Sequence, residues 1–349
     1  MWERFKWLFV TALKFKRTSY PRTKWGVRAC LAALGTGLFS VGVLNVKFES
    51  GYVVDTLSLA DKEPSLYAMY LSVALFILGM MLIFSEWNQK LRHTARVIIS
   101  AMPSVSTDFP DEVLEPSEKA FCREPVHLGV PQTTSENIEQ QIRRYNAELE
   151  VDIFKRHILQ DKGQKLYIGG LARIPFLVAY GAMLRNLSVE VLYFDKLHSN
   201  GNYALLSDEY TGVKLRESPL VNKVNSSGDA AIAISFSTPI ILSQIPEEFQ
   251  NSITMLDSEQ DTSRNLIKNK DNLQEVSAKV GEIIDRLSAI PGCKKIHLFL
   301  SVQSTLAIEI GRRYQEGTQQ NWVIHNFDPS LQSYTWALEL SRSGVSIYS

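Results

Sequence analysis

Residues 165–181 read KLYIGGLARIPFLVAYG, and residues 295–311 read KIHLFLSVQSTLAIEIG. Each opens with a lysine, runs through a short apolar strand, passes a few small or polar positions and enters an apolar helix. Laying Lys165 on Lys295 brings Gly181 onto Gly311 inside that helix. Each segment is followed by another apolar run ending in Phe-Asp, Val189–Asp195 (VEVLYFD) and Trp322–Asp328 (WVIHNFD). The pattern predicts a duplicated Rossmann-like unit, an internal repeat at the scale of half a domain.

Working outward, the first copy begins with the run Pro125–Pro131 (PVHLGVP). Thr133 and Glu136 form a candidate capping box, and Ile138, Ile142, Tyr145, Leu149 and Ile153 trace one helical face. The helix after the second strand is expected over about 175–186. In the second copy a strand at Ala230–Phe236 (AAIAISF) is followed by a polar stretch and a helix with Leu273, Val276, Val280, Ile283 and Leu287 on one face. Pro291-Gly292 stops that helix, and the next is expected from Ser304 to Tyr314. A last run, Tyr334–Leu340, is an added strand or short helix. Strands alternating with amphipathic helices make this part α/β with a largely parallel sheet.

Ligands of such sheets sit beyond the carboxyl ends of the strands. Those ends carry Thr133 and Thr134, Arg173, Lys196, Ser237 and Thr238, and Gln303 and Ser304. Small hydroxylated residues before helix starts suit a phosphate, because free N–H groups and the helix dipole face the anion. Arg173 adds a fixed positive fork. A polar pocket is expected there.

The first ninety residues differ in kind. Residues 26–46 carry one charge, Arg28, and residues 66–84 carry none. About 20 apolar residues cross a hydrocarbon core as helix, so both runs are read as spans of a hairpin over 25–90. Seven Lys/Arg against Glu3 in residues 1–24, and Lys90, Arg92 and Arg96 after the second span, place both termini in the cytoplasm by the positive-inside rule. Trp2, Phe5, Phe9 and Ala12 mark the basic segment 1–24 as an interfacial helix or a solvated tail. Ala29, Ala33 and Gly37 form a small-residue stripe, a packing face within the hairpin or between subunits. Residues 91–124, with Pro103, Pro110 and Pro116, read as a linker to a domain over 125–349.

Composition narrows the function. Lys+Arg and Asp+Glu are both 37, which gives no basic excess for wrapping DNA. A mean hydropathy of −0.07 is too polar for a polytopic membrane protein. Cys30, Cys122 and Cys293 are far apart, and the six histidines form no ligand cluster, so neither a disulfide framework nor a metal site is expected. Walker A and G-x-S-x-G are absent.

The segment KIHLFLSVQSTLAIEIGRRY followed by WVIHNFD resembles the C-terminal half of SAVED domains, and the resemblance spans roughly residues 124–349. Where the family has a Gly/Pro-rich turn, this chain has Ser301-Val302-Gln303-Ser304. SAVED domains are fusions of two CARF-like Rossmann units associated with CBASS antiphage systems, where they bind cyclic oligonucleotides made by a partner nucleotidyltransferase. The resemblance implies a transmembrane SAVED effector of the bacterial inner membrane. It would bind a cyclic di- or trinucleotide, form homo-oligomers on binding, act on membrane lipid and cause abortive infection without breaking a bond. The alternative is a membrane-tethered CARF-like enzyme that cleaves its cyclic ligand, with Lys196 or Arg173 stabilising charge. A nucleotide-cofactor hydrolase would need an acid pair or nucleophile that the sequence does not display.

Overall fold

The structure, a computed structural model, describes residues 21–33, 66–91 and 93–348, apart from 103–104, 131–136, 161–162, 200, 211, 220 and 222. The chain divides into two units, Met1–Arg92 and His93–Ser349.

In the first unit helix α1 (Pro21–Ala33) packs along helix α2 (Leu66–Leu91). They meet backbone to backbone at two glycines: a Cβ on Gly79 would lie 2.5 Å from the Cys30 sulfur and 2.7 Å from the Gly26 carbonyl oxygen. Ala33 is buried, and its carbonyl accepts the Ser72 hydroxyl at 2.6 Å. Near the start of α1 the Thr23 N–H, one of the donors a helix start leaves unpaired, donates to the buried Glu86 carboxylate. Of the expected small-residue stripe, Ala29 is half-buried, Ala33 is buried and Gly37 lies outside the described residues. Among the described residues one helix is long and apolar enough to cross a membrane, through Tyr70–Trp87 of α2. The expected span over 26–46 is described only as far as Ala33.

The second unit contains strands β1 (Thr94–Ser100), β2 (Val126–Leu128), β3 (Lys165–Leu171), β4 (Glu190–Lys196) and β5 (Tyr203–Leu205), with helices α3 (Ile138–Glu150) and α4 (Ile174–Met183). Its later part contains β6 (Leu215–Glu217), β7 (Asp229–Ser235), the short helix α5 (Glu247–Gln250), β8 (Ile253–Ser258), α6 (Lys270–Ser288), β9 (Lys295–Ser301), α7 (Ser304–Arg312), β10 (Asn321–Asp328), β11 (Ser333–Ser341) and β12 (Gly344–Tyr348). The first sheet runs β2-β1-β3-β4-β5 and the second β12-β11-β10-β9-β7-β8-β6. Strands β2, β1, β3 and β4 are mutually parallel, as are β8, β7, β9 and β10, while β5, β6, β11 and β12 pair antiparallel at the flanks. Every residue of β7 (DAAIAIS) is buried, as expected for a parallel strand covered on both faces.

The repeat is real and longer than the sequence pattern suggests. Strands β1, β2, β3 and β4 match β7, β8, β9 and β10 in sheet position, with α3 and α4 matching α6 and α7. Helices α4 and α7 cross each other where Gly181 and Gly311 meet. A Cβ on Gly181 would lie 2.0 Å from the Ile308 carbonyl oxygen, and one on Gly311 would lie 2.0 Å from that of Val178. The offset of 130 residues that aligns the lysines therefore also relates these contacts across an approximate two-fold axis.

Three expectations need correction. Residues 94–100, placed in a linker over 91–124, form β1 between β2 and β3. Its apolar run is only Val97-Ile98-Ile99, and Arg96 obscures it; that guanidinium is held by the Arg123 carbonyl at 2.8 Å and the Asp111 carboxylate at 2.7 Å. The proline-rich stretch after it covers the sheet, with Phe109, Val113, Leu114 and Cys122 buried against Ile98, Tyr167 and Phe194. In the supposed polar stretch of the second copy, β8 pairs with β7. Finally, the cap of α3 is Asn137, whose side chain accepts the Gln140 N–H at 2.9 Å, where the sequence suggested a capping box; Thr133 and Glu136 lie outside the described residues. The last run is a strand, β11.

Candidate ligand site between the two halves

Strand order 2-1-3-4 puts a switch point between the first and third strands of each half, where the connections leave in opposite directions and a crevice opens. In the second half this is the end of β7 and β9. The β9 end is closed by hydrogen bonds: Ser301 O accepts the N–H of Phe236 at 2.9 Å and of Ser237 at 2.8 Å, and the Ser301 hydroxyl lies 2.7 Å from that of Thr238. The Thr238 N–H also donates to the Ser301 hydroxyl oxygen at 3.0 Å. Thr238 is thus spent on shaping the turn.

Beyond these ends lies a cavity of about 450 Å³, within the range of small-molecule sites. Leu171, Asp195, Lys196 and His198 line it from the first half, and Ser237, Arg264, Gln303 and Ser304 from the second. Four of the expected site residues, Lys196, Ser237, Gln303 and Ser304, meet in this cavity. Arg173 lies outside it, before the first turn of α4. Thr133 and Thr134 fall outside the described residues.

Gln303 is not free to read a ligand. Its amide nitrogen donates to Asp195 Oδ2 at 3.2 Å, to the Ile267 carbonyl at 2.8 Å and to Thr305 Oγ1 at 2.9 Å, while its oxygen accepts the Ile267 N–H at 2.8 Å. Asp195 is equally engaged. Thr305 donates its hydroxyl to Oδ2 at 3.3 Å, and the Lys196 N–H donates to Oδ1 at 2.9 Å. Burial pushes this carboxyl up to about 6, against the pull of those donors. A carboxylate from the first half therefore already fills the start of α7, where the sequence suggested a phosphate.

The pseudo-equivalent corner is built differently. Arg173 stands where Gln303 stands, and Asp328 where Asp195 stands. Asp328 is half-buried, held low by the Ser330 hydroxyl at 2.6 Å and N–H at 2.8 Å, with the charge of Arg173 adding to the effect. The duplication is symmetric in backbone and asymmetric in charge.

Sequence reasoning missed Asp195, His198, Arg264 and Asn265 as site residues. Asn265 accepts the His198 N–H at 2.8 Å and donates to the Lys196 carbonyl at 3.2 Å, tying a loop of the second half to the end of β4. Arg264 Nη1 lies 3.5 Å from His198 Nδ1. The matching Phe-Asp strand ends were the one available signal for Asp195; the polar loop around 264 offers no periodicity to read.

A model of the SAVED family, the SMODS-associated and fused to various effectors sensor domain, matches residues 149–340. The chain belongs to the SAVED family. Its SAVED domain has the two-sheet architecture described above, and β1 and β2 lie upstream of the matched segment. Among solved structures the chain is similar to the Acinetobacter baumannii Cap4 SAVED/CARF-domain containing receptor with the cyclic trinucleotide 3′3′3′-cAAA, at 15% identity and a TM-score of 0.45, covering 79% of this chain and 60% of that one. The same receptor with 2′3′3′-cAAA matches at 14% identity, a TM-score of 0.45 and the same coverage. The Moraxella osloensis Cap4 receptor matches at 15% identity and a TM-score of 0.38, covering 81% and 59%. The chain thus spans about 60% of the length of these Cap4 receptors. No curated protein matches it.

A second polar cluster lies inside the SAVED domain away from the cavity. His297 Nδ1 and His325 Nε2 are 2.9 Å apart across β9 and β10, and His297 Nε2 is 3.5 Å from Asp229 Oδ2. Burial pulls His297 down to about 4, with the Lys295 charge adding, and His325 down to about 3, with His297 adding.

Proposed function

We propose that this SAVED protein is a membrane-anchored receptor for a cyclic oligonucleotide second messenger and acts as a CBASS-type antiphage effector. The observation that carries the reading is the cavity at the strand ends, bounded by both halves and rimmed by Lys196, His198 and Arg264. A ring of phosphodiesters needs a concave site with donors on more than one side, and this cavity supplies them. The cyclic trinucleotides carried by the Cap4 receptors make a cyclic di- or trinucleotide from a partner nucleotidyltransferase the first class to test.

The output follows from the first unit. With 26–46 and 66–84 as two spans, both termini and the SAVED domain are cytoplasmic at the inner membrane. Ligand binding favours an oligomer, and the clustered hairpins disturb lipid and kill the infected cell. Tethering raises effective concentration, so weak contacts between hairpins suffice. No bond is broken in this scheme.

The test uses the full chain in detergent with a panel of cyclic di- and trinucleotides. A specific ligand at about 100 times its Kd raises stability by ~2.7 kcal/mol. Flat melting curves across the panel would refute the receptor reading. Recovery of linear products from the incubated ligand would favour the cleaving enzyme. For output, membrane depolarisation is measured in cells making the ligand, with the full chain beside one lacking residues 1–92; equal depolarisation by both would refute the effector mechanism.

A further inference from the structure

The cavity offers an anion two places, and the structure distinguishes them. One is the start of α7, where peptide N–H groups and a helix dipole would favour negative charge. That place is taken: the buried Asp195 carboxylate accepts the Thr305 hydroxyl there, and the Gln303 amide lies between Asp195 and Ile267. A second anion beside a buried carboxylate meets like-charge repulsion in a site of low dielectric.

The other place is the rim, where three side chains able to carry positive charge converge from two halves of the chain. Lys196 ends β4 and His198 follows it in the first half; Arg264 comes from the loop between β8 and α6 in the second. Among the described residues, the Lys196 ammonium meets no protein acceptor, and the polar contact of Arg264 is the His198 ring nitrogen at 3.5 Å. Lys196 and Arg264 bring positive charge to one cavity from two halves of the chain, and an anion seated between them gains from both. Their placement is not left to chance. The single side chain of Asn265 holds the His198 N–H and the Lys196 carbonyl, and Arg264 is its immediate chain neighbour. Gln303 pins the same loop at Ile267 through two hydrogen bonds of 2.8 Å.

We propose that Lys196, His198 and Arg264 form a split anion clamp that takes one phosphodiester of the ligand across the boundary between the two halves. This deepens the receptor reading and rests on it for the identity of the ligand, though not for the clamp's preference for phosphate. The clamp makes the anion a bridge: it is gripped only while the loop of the second half lies against β4 of the first. Bound ligand therefore holds the halves together through charge drawn from both.

The experiment uses the full chain and two probes, 3′3′3′-cAAA and inorganic tripolyphosphate, with Arg264→Gln, the pair Lys196→Gln/His198→Gln, and Arg216→Gln on edge strand β6 as a control. Titrations follow the thermal midpoint at several salt concentrations. The clamp predicts at least a tenfold weaker Kd for Arg264→Gln with whichever probe binds the wild type, a shallower salt dependence, and wild-type behaviour for Arg216→Gln. Binding of 3′3′3′-cAAA that is equally tight in Arg264→Gln and in the Lys196/His198 pair overturns the clamp and leaves the receptor reading standing. Arg264-dependent binding of tripolyphosphate with no response to 3′3′3′-cAAA upholds the clamp and removes that cyclic trinucleotide as its ligand. Absence of binding by both probes overturns the clamp.

Discussion

Gly181 and Gly311 touch across the two halves of the SAVED domain, their helices so close that neither could carry a Cβ without meeting a carbonyl of the other. The obstacle in each case is main chain, which cannot swing aside as a side-chain tip would. Gly311→Ala must therefore part α4 from α7, and Gly181→Ala must do the same. Overpacking of this kind costs about 1–3 kcal/mol. In a domain of this size that lowers the thermal midpoint by roughly 3–10 °C. The double variant should lose less than the sum, because one contact is being opened twice. Far-UV circular dichroism during heating reads the effect; an unchanged midpoint for either single variant would show that the helices separate freely.

Gln303 is expected to act on stability more than on ligand chemistry. Gln303→Ala leaves the Ile267 N–H and carbonyl and one oxygen of Asp195 short of partners, a loss of about 1–3 kcal/mol. It should also free the loop at 263–268, so limited proteolysis there becomes faster than in wild type. Gln303→Glu sets a second carboxylate beside Asp195 and should be worse at pH 7.5 than at pH 5. A Gln303→Ala variant with native stability and an intact loop would assign the residue to the ligand after all.

The buried histidines predict acid sensitivity. With His297 at about 4 and His325 at about 3, below the ordinary 6.5, the folded protein binds fewer protons than the unfolded chain across that interval. Stability then falls as pH falls from 6.5 toward 4, by up to ~1.4 kcal/mol per unit for each group. Asp195, raised to about 6, works in the opposite sense: its contribution is present at low pH and is lost as pH rises through 6. Asp229, raised by burial, shares that sign. His325 is stacked on Phe299 with ring centroids 4.2 Å apart, so His325→Phe fits the site. Urea unfolding at pH 7, 5.5 and 4.5 should show a smaller acid loss in His325→Phe than in wild type. Identical losses would mean the array does not titrate with unfolding.

Fragment boundaries give a fourth test. A fragment of residues 93–349 keeps β1 between β2 and β3 and should unfold cooperatively. A fragment beginning at residue 125 loses that strand, leaving β2 and β3 with unpaired edges and the buried faces of Leu128, Leu166 and Ile168 uncovered. It should aggregate or bind hydrophobic dyes. A soluble, cooperative 125–349 fragment would show that β1 is dispensable.

Much of the α/β frame was legible because it rests on local pattern. The runs at β3, β4, β7, β9 and β10 are long and apolar, and α6 keeps its face over five turns. What stayed hidden is defined by tertiary contact. Strand β1 has three consecutive apolar residues beside a charged one, and β8 reads ITMLDS inside a polar stretch; each becomes a strand because a neighbour offers a ladder. The site divides the same way. Lys196, Ser237, Gln303 and Ser304 were readable from their places at strand ends. Arg264 and Asn265 join them through a loop whose own sequence carries no sign of its destination, and nothing in the sequence around Gln303 announces its bonds to Asp195 and Ile267.

The unequal corners have a consequence for descent. Asp195 is met by Gln303, whereas a homodimer of the first half would set Asp195 against Arg173, and a homodimer of the second would set Asp328 against Gln303. Neither arrangement reproduces the corner that the chain possesses. Once the halves had specialised in this way, separate genes would have had to deliver them in matched amounts and prevent each from pairing with itself. A single reading frame fixes the ratio at one to one, so the covalent link itself delivers the mixed pairing that this corner needs.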